Sequence, residues 1–386
     1  MPTTSRPPRV LVAPDKFKGS LDASQVAAHV AAGLRRVVPD VEVDALPVAD
    51  GGEGTVEAAL AAGYTRVSVA ATGPLGEQVR ADYARRGDVA VIEMAAVSGL
   101  AMTPADDDAA RRSSSVGTGE LVRHALGQGA RTIVLGIGGS ASTDGGAGLV
   151  VALGVRLRGA GGELPLGGAA LQDLVSVDVS GLDPRLGEVE MVLASDVDNP
   201  LLGADGAAAV YGPQKGASAR AVADLEDGLA RWVEALERAG VPRARELADA
   251  PGAGAAGGVG YGALVLLGAV RRPGIEVVLE LTGFADRVAG MDLVITGEGS
   301  LDSQSLFGKA PVGVASAAAA AGVPTVAVAG RSTLSDAQLH EVGIAARYAL
   351  TDIEPDVETC ITHAGEILED VSEILARAHL QPEGLP

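Results

Sequence analysis

The 386 residues exceed what one hydrophobic core usually serves, so two domains are expected. A formal charge of -20 weighs against nucleic acid or anionic lipid as partners, because either demands a basic field; an anionic ligand would have to be met by local cations. The single cysteine, Cys360, excludes an intrachain disulfide, suits a reducing cytoplasmic setting and is expected to be core filler; no export signal is read in MPTTSRPPR, taken as a short disordered lead.

The 53 glycines stand well above the usual share of about 7% and gather in loops, which points to backbone brought close to ligands. Val10–Ala13 is expected as a strand running into Pro14-Asp15-Lys16-Phe17-Lys18-Gly19, followed by a helix capped by Ser20 or Asp22 with Val26, Val30, Leu34 and Val37 on one face. A second strand at 41–46 leads to Asp50-Gly51-Gly52-Glu53-Gly54 and a helix over 55–62, so two charged loops should leave one edge of a parallel sheet. From about Thr65 short alternating strands at 67–71 and 89–94 suggest a new subdomain, and Ser113-Ser114-Ser115-Val116-Gly117-Thr118 reads as a hydroxyl-rich helix entrance.

The stretch around which the chain is organised is 132–148, where the apolar Thr132-Ile133-Val134-Leu135 empties into GIGGSASTDGGAG and then a helix. Such a loop can present bare amides, and a helix N-terminus, to an anion. Further on, Met191–Ala194 should be a strand ending in Ser195-Asp196, and 219–239 a helix with Trp232 in the core. Strands are expected at 277–281 and 293–295, the latter ending in a loop that carries Glu298, Ser300 and Asp302. The uncharged run 310–330 has the length of a membrane span, but Pro311, Gly322 and Pro324 split it into helix and strand. The tail, with strands at 325–329 and 346–350 and a helix from 357, resembles the N-terminal βαβ pattern more than the middle, and no tandem repeat is seen.

Of 30 basic residues only Lys16, Lys18, Lys215 and Lys309 are lysine, and all four lie in glycine-flanked loops. An ammonium is a compact point charge suited to phosphate or carboxylate oxygens, so recognition of a phosphate or an acid is favoured. Asp15, Asp50, Asp144, Asp196, Glu298 and Asp302 sit in glycine-rich or strand-end loops, where magnesium takes one or two carboxylates plus substrate phosphates; Asp50 and Asp144 read equally well as helix caps. The five histidines are scattered, against a zinc site, and Ser140 lacks a nucleophile-elbow setting. Gly136–Ala141 fits a loose G-x-G-x-x-A, which keeps an NADP-linked oxidoreductase open as an alternative, beside a non-catalytic binder of sugar acids.

These motifs converge. APDKFKGSLDA (13–23), PVADGGEGT (47–55), SSVGTGEL (114–121), GIGGSASTDGGAG (136–148), SDVDNPLLG (195–203), YGPQKG (211–216), GAAGGVGYG (254–262) and TGEGSLDSQSLFGKAP (296–311) closely resemble the bacterial type I glycerate kinases, also called the glycerate 2-kinase family. Two departures are visible, Ser142-Thr143 where the family usually has Thr-Asn, and Ser300 where arginine is common. The resemblance implies ATP-dependent phosphorylation of D-glycerate, most often at the 2-hydroxyl, with the 3-hydroxyl as alternative. It implies two α/β domains with the active-site cleft between them: a discontinuous Rossmann-like parallel sheet from both chain ends (1–70 and 290–386) and an inserted flavodoxin-like domain (71–289). Carried onto this chain, Lys16 and Lys18 would meet glycerate or the moving phosphate, and Asp50 or Asp196 would take the proton. Asp15, Glu53, Ser114, Thr118 and Lys309 would contact substrate, and Gly138, Gly139, Ser140, Lys215, Gly257 and Gly258 would hold ATP. Asp196 with Glu298 or Asp302 would bind Mg2+. A monomer or homodimer with no macromolecular partner is expected.

Overall fold

The computed structural model describes residues 6–306 and 308–381; the expected lead over residues 1–5, and Phe307 of the last motif, lie outside the described residues. The chain divides into two compact units, the first formed by residues up to Asp50, Glu57–Ala62 and Ile275 onward, the second by Gly51–Val56 and Gly63–Gly274.

In the first unit five parallel strands lie in the order Ile344–Ala349, Thr325–Ser332, Leu293–Leu301, Arg9–Pro14, Glu42–Ala45. Both chain ends therefore build one sheet, as expected. The strands alternate between two cores: Val10, Val12 and Ile295 face the helices Ala23–Val37 and Ala364–His379, while Leu11, Ala13 and Val294 face Ile275, Val278, Phe284 and Val314. Asp22, rather than Ser20, caps the first helix through a capping box with Gln25. The strand order turns between Arg9–Pro14 and Leu293–Leu301, since connections lead from the first to one side and from the second to the other. Loops at the carboxyl ends of such a switch point are where open α/β sheets bind ligands.

Two expectations need correction here. Residues 277–281 are helix, within Gly274–Thr282, because Ile275, Val278, Leu279 and Thr282 recur at helical spacing and bury one face. The strand beginning at Leu293 continues to Leu301 because Thr325–Ser332 pairs with it through Ser332, so Glu298 and Ser300 lie on a strand and not in a loop.

The second unit holds a six-stranded sheet in the order Val270–Arg272, Glu190–Ala194, Thr132–Gly136, Val89–Glu93, Gln78–Arg86, Thr65–Thr72. The first four run parallel, and the hairpin Thr65–Arg86 adds two antiparallel strands. That pairing assigns Thr65–Thr72 to this unit, whereas the helix Gly274–Thr282 packs into the first; the divisions thus fall near 50–63 and at 274/275 instead of 70/71 and 289/290. Trp232 is fully buried on the helix Ala219–Arg238, and its Nε1 donates to the Gly145 carbonyl at 3.1 Å. No helix among the described residues is long and apolar enough to cross a membrane, and the 310–330 run is the helix Ala310–Ala320 and the strand Thr325–Ser332.

Candidate active site

At the switch point of the first unit the Asp15 amide donates to the Gly297 carbonyl at 2.8 Å, tying the end of one central strand to the other. Asp15 accepts from the Lys16 amide at 2.7 Å. The residue keeps part of its surface exposed, yet its carboxyl lies deep enough that burial, reinforced by the Asp50 charge, raises it to about 7, against the opposing pull of Lys16. Glu298 is nearly buried on the neighbouring strand and is also raised, first by burial and then by Asp302 and Asp50; Ser305 and Lys309 act against that rise. Ser305 Oγ donates to Glu298 Oε1, and Lys309 Nζ stands 4.0 Å from Glu298 Oε2. Asp302 accepts from the Gln304 amide at 2.9 Å and so also shapes its own turn. Lys18 is exposed. Lys16, Lys18, Lys309, Asp15, Asp50, Glu298 and Asp302 therefore belong to one unit and to the loops and strand ends around its switch point.

In the second unit the glycine-rich loop is built differently from its expected form. Asp144 is fully buried and accepts from the amides of Ser115 at 2.8 Å, Gly146 at 3.2 Å and Gly148 at 3.2 Å, as well as from Ser115 Oγ. The N-terminus of the helix Ala147–Ala152 is thus closed by the chain's own carboxylate, while Gly138, Gly139 and Ser140, the expected ATP-binding residues, lie further up the loop outside that cap. This arrangement also disfavours a dinucleotide site, which needs an open helix N-terminus directly after the glycines. The upper loop is pinned by Leu100 donating to the Gly139 carbonyl at 2.8 Å and Ala141 donating to Ser98 at 2.9 Å.

Lys215 is almost wholly buried, and its Nζ donates to the Ser142 carbonyl at 2.5 Å and to Ser140 Oγ at 3.1 Å. Burial pushes this ammonium down to about 7, while the Asp144 charge works the other way. Its present contacts fasten the loop from within. Gly257 and Gly258 form the platform beneath: a side chain on Gly257 would come within 2.0 Å of the Ser142 carbonyl oxygen, and one on Gly258 within 2.7 Å of Gly145 Cα. Both adopt positive φ, 66° and 89°, which glycine alone holds without strain. Ser114 and Thr118 are buried, their hydroxyls directed to Asp144 at 3.5 Å and Ser98 at 3.0 Å. Ser142 Oγ and Thr143 Oγ1 are buried with no hydrogen-bond partner among the described residues, an unusual state beside a loop of this kind. Glu53 is exposed, and Asp196 Oδ1 accepts from the Gly274 amide at 2.7 Å.

One carboxylate escaped the reading of the sequence. Glu93, buried at the end of its strand, accepts from the amides of Gly54 at 3.0 Å and Val56 at 3.2 Å and anchors the Gly51–Val56 segment. Its position after an apolar strand is the same signal that drew attention to Asp196. The two similar Asp-Gly-Gly motifs also part company: Asp144 caps a helix, whereas Asp50 lies among the acidic groups of the first unit.

The chain matches the family model described as the glycerate kinase family over residues 10–380. It belongs to that family. It is 43% identical over 372 residues to a glycerate kinase of Halalkalibacterium halodurans, with 95% of this chain and 97% of that protein covered. It is 45% identical over 346 residues to a glycerate 2-kinase of Escherichia coli, covering 89% and 90% respectively. A solved structure described as a glycerate kinase 2 from Salmonella typhimurium LT2 superposes with a TM-score of 0.80 at 41% identity, over 96% of this chain and 98% of that one. Membership makes the chain an enzyme that phosphorylates glycerate, and a kinase family takes ATP as co-substrate. A glycerate kinase has to hold two anions while a hydroxyl attacks, and the ammonium groups and the near-neutral Asp15 of the first unit are suited to that demand.

Proposed function

We propose that the chain transfers the γ-phosphoryl group of ATP to the 2-hydroxyl of D-glycerate, giving 2-phosphoglycerate and ADP. The observation that carries this reading is the gathering of Asp15, Lys16, Lys18 and Lys309 around one sheet switch point, where burial pushes the Asp15 carboxyl up to about 7; the 45% identity to a glycerate 2-kinase supports the 2-hydroxyl. A carboxyl with that affinity is partly ionised at neutral pH and can take the proton of the attacking hydroxyl, a role it shares as candidate with Asp50 and Asp196. Lys16 and Lys18 then neutralise the glycerate carboxylate or the transferring phosphoryl oxygens, and Lys309 lies beside Glu298. The amides of Gly138, Gly139 and Ser140 receive ATP phosphates, on a loop kept rigid by Lys215, Gly257 and Gly258. Of the other expected substrate contacts, Glu53 is exposed and stays a candidate, whereas Ser114 and Thr118 are buried with their hydroxyls directed to Asp144 and Ser98 and serve the frame of the loop.

No group of three or more histidine, cysteine, aspartate or glutamate side chains suited to a metal occurs among the described residues. Magnesium needs less, one or two carboxylates plus phosphate oxygens, and Glu298, which feels the charges of Asp302 and Asp50, offers hard oxygens whose mutual repulsion a cation would relieve. Glu298 and Asp302 would hold Mg2+, whose charge would offset that of the ATP phosphates; Asp196, the other expected ligand, belongs to the second unit.

Glycerate offers a second acceptor, the 3-hydroxyl. Proton-coupled phosphorus NMR of the product from D-glycerate and MgATP tests both points: a phosphorus split by one carbon-bound proton is expected. Splitting by two protons would move the reaction to the 3-hydroxyl, and absence of any phosphoglycerate would remove the reading.

A further inference from the structure

We propose that Arg331 is the residue that recognises the carboxylate of the acid substrate, acting from the strand beside Ser300. The inference rests on the reading of the first unit as the glycerate-binding part, and deepens it.

The parallel strands Leu293–Leu301 and Thr325–Ser332 pair Glu298 with Ala329, Ser300 with Arg331 and Leu301 with Ser332. Residues two apart on a strand share a face, and register partners in a parallel pair share it too, so Glu298, Ser300 and Arg331 stand on one face of the sheet. Lys309 is on that face as well, 4.0 Å from Glu298, and Ser305 bridges Glu298 and the Ser300 carbonyl. The edge also meets the Asp15–Lys18 loop: a methyl group at Gly299 would sit 3.1 Å from the Lys18 amide nitrogen, and one at Gly330 would sit 2.5 Å from the Gly299 carbonyl oxygen. Three segments thus converge at Gly299, and the residue following Phe17, Gly299 and Gly330 on each is Lys18, Ser300 and Arg331.

Arg331 is exposed, and its Nε donates to Ser300 Oγ at 3.2 Å. That bond holds the guanidinium beside Ser300 while using only its inner nitrogen. Among the described residues no carboxylate forms an ion pair with it, although Asp15, Asp50, Glu298 and Asp302 all belong to this edge. The two outer nitrogens form the planar fork that fits a carboxylate with two parallel hydrogen bonds, which a lysine cannot reproduce. Ser300 is the positioning partner, and the ammonium groups of Lys16 and Lys18 remain for the phosphoryl oxygens.

The test is steady-state kinetics on Arg331→Ala, Arg331→Lys and Arg331→Ala/Ser300→Arg with D-glycerate and MgATP. The expected result for Arg331→Ala is a rise in KM for glycerate on the order of 10- to 100-fold, with KM for ATP within about twofold, as loss of a charge-assisted bidentate contact implies. Arg331→Lys should recover only part of it, and the double variant, which returns a guanidinium one strand away, should recover most. An unchanged KM for glycerate, or a rise confined to the KM for ATP, would overturn the proposal. A wild-type protein that does not phosphorylate glycerate at all would instead remove the reading on which it rests. Arg331 is exposed, so circular dichroism melts matching the wild type are expected and separate a binding loss from misfolding.

Discussion

Asp15 and Lys215 are both titratable groups displaced toward neutrality by burial, in opposite directions, and they serve opposite ends. If Asp15 takes the proton of the attacking hydroxyl as proposed, turnover should rise as pH passes upward through about 7 and this carboxyl loses its proton. In Asp15→Asn, kcat should fall by about 100-fold and that acid limb should vanish, as read from kcat over pH 5.5–9; an unchanged acid limb would assign it to another group. Lys215 is instead consumed by the loop it supports. The scarcity of lysine and the glycine-flanked setting of all four were legible in the sequence, but the burial of Lys215 was not, because only the folded packing of the Tyr211–Gly216 segment against the Ser140–Ser142 backbone encloses it.

At the level of elements, the glycine-rich loop after Thr132–Gly136 is a braced structure and not an open row of amides. Asp144 holds Ser115, Gly146 and Gly148 at once, and Asp144→Ala would leave those buried donors without a partner. The expected cost is at least about 3 kcal/mol, measured as a lower urea midpoint of the second unit's transition. A change below about 0.5 kcal/mol would mean that water or the backbone replaces the carboxylate. Most strands and helices were legible from apolar period and turn residues, among them the first-unit strands and the long helix Ala219–Arg238 with Trp232 inward. The helix Gly274–Thr282 was not, since its run of Ile275, Val277, Val278 and Leu279 carries the β-branched residues of a strand, and only packing against Leu11 and Val294 decides for helix. Likewise the continuation of Leu293–Leu301 past Thr296 depends on a partner strand that lies far along the chain.

Across the whole molecule, a strongly acidic chain carries its lysines in two settings: three around the switch point of the first unit and one sealed in the second. The assembly of the first sheet from both chain ends was legible because head and tail share a strand–helix rhythm, whereas the unit boundaries shifted because a hairpin partner and a packed helix decide them. The central claim is that phosphoryl transfer to glycerate depends on the ammonium groups at the first sheet's carboxyl edge. Turnover of D-glycerate and MgATP by Lys16→Ala and Lys309→Ala, each with a thermal melt, tests it most directly. The expected result is kcat lowered by roughly 100-fold or more in both, with midpoints within about 2 °C of the wild type; near-native turnover in both variants would overturn that dependence.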